Sequence, residues 1–176
     1  MSGIEIPLFA GLSESEKADL LRNFFDTRQF LPGEPIVLKG EESKELFLIL
    51  DGEATVMVDT DVQTVLGRYS IIGDCGLVRG KPRNAKVVAK TDMHVAVMNR
   101  ENFTALRQKN PRVMIILLLN MMDMAGERTA KQNQLIHQLM GKIRSLQSQE
   151  DSLSRDSREQ VSLLDRLKEI ARIQIF

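Results

Sequence analysis

Residues 73–85 read GDCGLVRGKPRNA and lie between two stretches with alternating apolar residues, Leu46–Val58 and Ala85–Met98. Alternation of this kind is typical of β-strands. The glycines allow backbone N–H groups to turn toward a ligand, and Arg83 supplies a guanidinium that can bind a phosphate through two hydrogen bonds. The stretch therefore predicts an anion-binding loop inside a β-rich domain.

The composition restricts the class of protein. The 176 residues are enough for one domain with a core and an appendage, and Lys+Arg and Asp+Glu balance at 24 each, so no strongly basic nucleic-acid-binding face is expected. The one cysteine, Cys75, excludes an internal disulfide and suits a reducing compartment. No signal-peptide pattern opens the chain, and the most apolar run, Val113–Met122, is about half the length needed to span a bilayer. We expect a cytoplasmic protein that is not inserted in a membrane.

The fold class is predicted to be mainly β with flanking helices. From Phe30 to Met98 short apolar stretches alternate with Gly-containing turns, which favours a β-barrel or jelly roll over a parallel α/β sheet. Leu46–Leu50 is nearly continuous in apolar residues and is expected in a packed sheet. Asp51-Gly52 predicts a hairpin with Thr55–Val58 as the return strand. Before the strands, a capping-box pattern at Ser13 and Glu16 predicts a helix over residues 13–26.

After Asn99 the pattern becomes helical. A short helix is predicted over Arg100–Gln108, and Pro111 then suits the first turn of a long helix. That helix carries residues spaced alternately three and four apart, which we call the seam: Ile115, Leu118, Met122, Ala125, Thr129, Gln132, Ile136, Leu139, Ile143 and Leu146. A heptad seam predicts a homodimer through a coiled coil. The alternative is that it packs on its own barrel, as Ile116, Leu117 and Leu119 are expected to do near Pro111.

Three parts of the chain are predicted. Residues 1–110 form the barrel with its N-terminal helix, and residues 111–146 form the long helix. Residues 147–176 form a weak helix or linker followed, from Val161, by a short amphipathic helical segment.

Residues 73–85 closely resemble the phosphate-binding cassette of the cyclic-nucleotide-binding domain family, whose pattern is roughly Gly-Glu-x-Ala-Leu-x-x-x-x-Pro-Arg-x-Ala. Further motifs resemble the family's N-terminal helical segment, its early strand and turn, and its central hairpin: Leu8–Ser13, Leu31–Ile36 with Gly40, and Phe47–Ala54. The resemblance covers about residues 6–140. It implies a cyclic-nucleotide-binding β-barrel of the jelly-roll type followed by a long helix. It also implies cyclic AMP, or cyclic GMP, as the ligand and no cofactor.

The same resemblance assigns the binding residues. Arg83 is expected to pair with the cyclic phosphate, and the backbone N–H groups of Cys75 and Gly76 to donate to it, with Gly73 and Ala85 completing the cassette. Asp74 stands where the family has a glutamate that accepts from the ribose 2′-hydroxyl. Its side chain is one methylene shorter, so it is expected to fall about 1 Å short unless the loop shifts.

Other positions qualify this assignment. Tyr69 stands where the family usually has glycine, so a different turn is expected there, because a positive φ is costly for tyrosine. Asn84 stands beside Arg83, and its amide suits a phosphate or a guanine edge, which leaves cyclic AMP and cyclic GMP open. Arg128 and Thr129 on the long helix are expected to contact the base, with a solvated charge as the alternative for Arg128.

The predicted function is a non-enzymatic cyclic-nucleotide sensor that dimerises through its long helix and passes ligand binding to an unknown partner or output domain. DNA binding is not expected, because residues 141–176 show neither a compact three-helix pattern nor a basic stripe. The alternative is a degenerate domain that acts as a scaffold without nucleotide. No catalytic constellation is visible, and His94 and His137 lie too far apart in sequence, without suitable neighbours, to predict a metal site.

Overall fold

A computed structural model describes residues 6–58 and 63–173. The helices and strands follow in chain order. They are a 3-10 turn at Pro7–Phe9, α1 Glu14–Phe24, β1 Asp26–Phe30, β2 Pro35–Val37, β3 Leu46–Asp51, β4 Ala54–Met57, β5 Gln63–Leu66, β6 Ile71–Ile72, α2 Asp74–Arg79, β7 Lys86–Ala89, β8 Met93–Met98, α3 Arg100–Lys109 and α4 Pro111–Ile173.

The strands of the described residues form two four-stranded antiparallel sheets. One has the order β1-β8-β3-β6 and the other β2-β7-β4-β5. Apart from β4 and β5, which follow each other in the chain, neighbouring strands in each sheet are distant in sequence, as in β3 and β8, where Phe47 pairs with Val97. Two facing sheets with these long connections form a jelly roll. The predicted fold class is confirmed.

The apolar run in β3 follows from burial on both faces of its sheet. Phe47 and Ile49 point into the space between the sheets, whereas Leu46 and Leu48 point to the opposite side, where α1, α3 and the first turns of α4 cover them. Because successive side chains of a strand alternate between faces, a sheet covered on both sides needs apolar residues at every position.

The predicted hairpin between β3 and β4 is wrong. The two strands belong to different sheets, so the turn at Gly52 carries the chain from one sheet to the other. Gly52 has a φ of 89°, and a Cβ there would lie 2.9 Å from both Thr91 Oγ1 and Met93 Cγ. The glycine is therefore required by close packing as well as by its backbone conformation.

The helix α1 begins as predicted. Ser13 accepts a hydrogen bond from the Glu16 N–H at 3.3 Å, and the Glu16 carboxylate accepts from the Ser13 N–H at 2.8 Å. The hydrogen bonds from Ser13, with the nearby Arg112 guanidinium of α4, lower the pKa of the Glu16 carboxyl. The N-terminal turn is tied to α4 as well, because Asn120 Nδ2 donates to Leu8 O at 2.9 Å and to Ala10 O at 3.0 Å.

The turn before β6 departs from expectation. Tyr69 itself adopts a positive φ of 66°, so the turn keeps a left-handed residue although no glycine stands there. Its N–H donates to Ile49 O at 2.7 Å, and the Arg68 guanidinium lies 4.9 Å from its ring centre. These contacts hold tyrosine in a conformation that costs about 1–2 kcal/mol for a residue with a Cβ.

The helix α4 is continuous over Pro111–Ile173, including residues 147–160, for which the sequence predicts a weak helix or a linker. The apolar residues predicted from Val161 onward lie outside the described side chains. The chain divides into two compact units between Ala125 and Gly126, so the first turns of α4 belong to the same unit as the barrel. There Leu117 is buried and Ile116 packs beside it, as expected, but Leu119 is 54% exposed.

No helix of the described residues is long and apolar enough to cross a membrane.

Candidate functional site

The cassette begins where β6 ends. Gly73 has a φ of 93°, a left-handed conformation that turns the chain directly into α2, and Leu77 N–H donates to Gly73 O at 3.0 Å. Seven residues later Gly80, also left-handed with a φ of 66°, ends the helix, and its N–H donates to Gly76 O. The first N–H groups of a helix have no partner within it, so the start of α2 presents donors.

Among the residues that the structure describes, Arg83 is the one polar or charged residue that is buried, with 6% of its surface exposed. The loop between β2 and β3 holds its backbone, since Arg83 N–H donates to Glu41 O at 2.9 Å and Gly40 N–H donates to Arg83 O at 2.8 Å. Its Nη2 donates to Ser43 Oγ at 2.9 Å and to the backbone oxygen of Glu45 at 2.6 Å.

The rest of the Arg83 guanidinium lacks partners. Its Nε and Nη1 are buried and make no hydrogen bond within the described residues. Burial lowers the pKa of this guanidinium, while the negative charges of Glu41, Glu45 and Asp74 act in the opposite direction. Arginine stays charged in proteins, and a buried charge with unpaired donors is costly. An anion that accepted from these N–H groups would remove that cost.

Two glycines make room for this guanidinium. A Cβ on Gly73 would collide with Arg83 Nη1 and lie 2.5 Å from Glu45 O, and a Cβ on Gly76 would lie 2.8 Å from both Arg83 Nη1 and Ser43 O. The start of α2 can therefore approach Nη1 closely only because both positions lack a side chain.

Asp74 and Cys75 are joined by a hydrogen bond that the sequence did not predict. The Asp74 Oδ1 accepts a hydrogen bond from the Cys75 N–H at 2.8 Å. A carboxylate is stabilised at the start of a helix by unpaired N–H groups, and the short aspartate side chain reaches its neighbour's N–H. One of the two backbone donors expected for a phosphate is thus already bonded. The thiol of Cys75 is free and exposed.

The remaining predicted residues are two in the cassette, Asn84 and Ala85, and two on α4, Arg128 and Thr129. Asn84, beside Arg83 in sequence, is exposed, and Ala85 is buried. Arg128 and Thr129 lie in the unit that begins at Gly126, so their contact with a base stays a prediction.

The described residues contain no group of three or more His, Cys, Asp or Glu side chains that could hold a metal ion.

Sequence reasoning missed Ser43 and the ion pair behind Glu45. The Glu45 carboxylate accepts from Arg28 Nη2 at 2.5 Å and from Nη1 at 3.1 Å, and this bond raises the pKa of Arg28. The pair fixes Glu45 while its backbone oxygen accepts from Arg83. Arg28 and Glu45 are 17 positions apart and Ser43 and Arg83 are 40 positions apart, so neither contact has a short-range signal in the sequence.

Comparison with known proteins finds a family match for part of the chain. Residues 27–110 match the cyclic nucleotide-binding domain. The chain is 33% identical over 104 residues to a cAMP-dependent protein kinase regulatory subunit of Emericella nidulans, covering 58% of this chain and 25% of that protein. It is 33% identical over 85 residues to a cGMP-dependent protein kinase of Plasmodium berghei, covering 48% of this chain and 10% of that protein.

A solved structure is also similar to this chain. The catabolite activator protein of Thermus thermophilus is similar with a TM-score of 0.62 and 25% identity, covering 76% of this chain and 62% of that one. The resemblance inferred from the cassette is confirmed. The chain spans a quarter or less of the length of the two kinase-related proteins.

Proposed function

We propose that this chain is a non-enzymatic sensor of a cyclic nucleotide, because residues 27–110 match the cyclic nucleotide-binding domain. The preferred ligand in this proposal is cyclic AMP. The chain dimerises through α4 and passes ligand binding to a partner or an output domain.

The observation that carries the proposal is the state of Arg83. Its guanidinium is almost fully buried and has unpartnered N–H groups at Nε and Nη1. A cyclic nucleotide carries a single negative charge on its phosphodiester, which matches a single buried cation. Charge-assisted hydrogen bonds to an anion are about twice as strong as neutral ones, and each satisfies a donor that is otherwise buried without an acceptor.

Regulation through α4 is supported by contacts between the cassette and the helices. Leu77 of α2 is fully buried in a cluster that includes Leu106 of α3 and Leu117 of α4. A ligand that moves α2 would therefore disturb the packing of a cluster to which α3 and α4 also contribute. Binding can shift a conformational equilibrium only through such differential contacts.

Dimerisation is supported by the exposed part of the seam. Ile136, Leu139, Ile143 and Leu146 are each more than half exposed. Isoleucine at the first and leucine at the fourth position of a heptad favours a parallel two-stranded coiled coil. An apolar stripe of this length on a free helix is uncommon in monomeric proteins.

Calorimetric titration of the purified chain with cyclic AMP and with cyclic GMP tests the proposal, and 5′-AMP serves as the control that lacks the cyclic diester. We expect saturable binding of a cyclic nucleotide, cyclic AMP the tighter, and little binding of 5′-AMP. Tighter binding of cyclic GMP would replace the ligand but keep the sensor. No binding of either at millimolar concentration would reject the sensor.

The alternative is a scaffold that binds no nucleotide. Asp74 favours it, because its carboxylate takes the Cys75 N–H and adds negative charge where the phosphate is expected. The titration separates the two functions, since a scaffold gives no heat with any of the three nucleotides.

A further inference from the structure

Ser43 is the side chain that holds the Arg83 guanidinium. Its Oγ accepts from Nη2 at 2.9 Å, and the other acceptor on the same nitrogen is the backbone oxygen of Glu45 at 2.6 Å. Both N–H groups of Nη2 are therefore engaged, and Nε and Nη1 keep their unpartnered donors. The serine hydroxyl thus determines which part of the guanidinium remains for a ligand.

The position of Ser43 is itself well determined. The loop that carries it is bonded to Arg83 through two backbone hydrogen bonds, at Gly40 and Glu41. The Ser43 backbone oxygen also lies 2.8 Å from the place of a Cβ on Gly76, so the loop is in close contact with the start of α2. Ser43 thus lies where the loop, α2 and the guanidinium meet.

We propose that Ser43 is a positioning residue that orients Arg83 toward the cyclic phosphate, an inference that rests on the proposed function. Without the hydroxyl, Nη2 keeps only the Glu45 carbonyl, and a guanidinium held by one hydrogen bond can rotate about it. The cation would stay in the site, but Nε–H and Nη1–H would no longer be fixed in direction. Ligand binding would then lose affinity and, above all, geometric selectivity.

The experiment compares the parent with Ser43→Ala and Ser43→Thr. Calorimetry measures affinity for cyclic AMP and for its Rp and Sp phosphorothioates, in which sulfur replaces one or the other exocyclic phosphate oxygen. Ser43→Ala is expected to bind cyclic AMP about tenfold more weakly, the effect of losing one hydrogen bond to a charged group. The ratio of the Rp and Sp affinities should move toward one. Ser43→Thr keeps the hydroxyl and should restore both values to within a few-fold of the parent.

The ratio separates positioning from a general loosening of the fold. A merely structural loss would weaken both phosphorothioates equally, and urea unfolding of each variant reports the change in stability independently. An unchanged ratio in Ser43→Ala, or a Ser43→Thr protein that behaves like Ser43→Ala, would overturn the assignment. A parent that binds no cyclic nucleotide would overturn the proposed function and this inference together. A parent that binds, with Ser43→Ala of equal affinity, would overturn the role of Ser43 alone.

Discussion

Gly76 in the cassette leaves space for a neighbouring side chain, the guanidinium of Arg83. Gly76 has no positive φ, so its backbone conformation does not require glycine. What requires it is the close approach of the Arg83 guanidinium and of the Ser43 backbone oxygen, each 2.8 Å from the place of a Cβ. The absence of a side chain at position 76 is thus part of the anion site.

Gly76→Ala is predicted to weaken cyclic-nucleotide binding. Overpacking costs about 1–3 kcal/mol, which is roughly 5- to 150-fold in affinity if the guanidinium is displaced. Alanine also favours the helical state of α2, by up to about 1 kcal/mol, which offsets part of the stability that the clash removes. The control is Gly67→Ala, where a Cβ meets nothing within 4 Å. Unchanged affinity in Gly76→Ala would show that Arg83 does not need this space.

Tyr69→Gly is predicted to stabilise the fold by about 1 kcal/mol, because glycine adopts a positive φ without the steric cost of a Cβ. The loss of the contact between Arg68 and the ring reduces the gain. Urea unfolding measures it. A less stable variant would mean that the ring contacts outweigh the backbone strain.

At this scale the sequence predicts Arg83 but not its surroundings. A proline-arginine pair after a glycine-rich turn is a local signal. Ser43 and Glu45 accept hydrogen bonds from Nη2 because β3 and the loop before it pack against the cassette. The spacing of residues within the cassette carries no information about that packing. The expectation of a different turn at Tyr69 is wrong for a related reason, because the Tyr69 N–H donates to Ile49 O of β3, and this contact overrides the local preference of tyrosine.

Among the elements, α2 connects the anion site to the helices. At its start, Gly73 and Gly76 lie against Arg83. Near its end, the backbone oxygens of Leu77 and Val78 accept hydrogen bonds from Arg100 Nη1 of α3, and the bond to Val78 O is 3.3 Å long. A cation at the C-terminal end of a helix interacts favourably with its dipole. Arg100 stands at the start of α3, where its charge is unfavourable for α3 itself, so its benefit lies in α2.

Arg100→Ala is predicted to destabilise the domain by about 1–2 kcal/mol and to speed hydrogen exchange at the Gly80 amide, whose hydrogen bond closes α2. Arg100→Lys should recover part of the loss. Arg107→Ala, in the last turn of the same helix, is the control and should leave exchange in α2 unchanged. Equal exchange at Gly80 in all three variants would remove Arg100 as a support of α2.

The elements were better predicted than their pairing. Capping at Ser13 and the apolar run of β3 are local features, and the sequence predicts both. The order of strands in the two sheets is not local, and Asp51-Gly52 has the chemistry of a hairpin turn although its strands lie in different sheets. A turn sequence determines the backbone conformation of the turn, but which strands pair depends on the whole core.

The molecule as a whole is predicted to be a parallel dimer. Replacing Ile136 and Leu139 with glutamate would place four like charges in a dimer seam, and multi-angle light scattering at micromolar concentration should then find a monomer. Gln134→Glu with Gln138→Glu adds the same charge outside the seam and should leave the dimer intact. A parent chain that is monomeric under these conditions would contradict the prediction directly.

Calorimetric titration of Arg83→Ala with cyclic AMP, beside the parent, tests the central claim that the buried guanidinium receives the cyclic phosphate. The variant removes the cation and its unpartnered donors. Losing such a contact costs about 2–4 kcal/mol, so affinity should fall by roughly 30- to 1000-fold in a protein that remains folded. Parent-like affinity in folded Arg83→Ala would contradict the account, because the phosphate would then be bound without the one buried cation of the cassette.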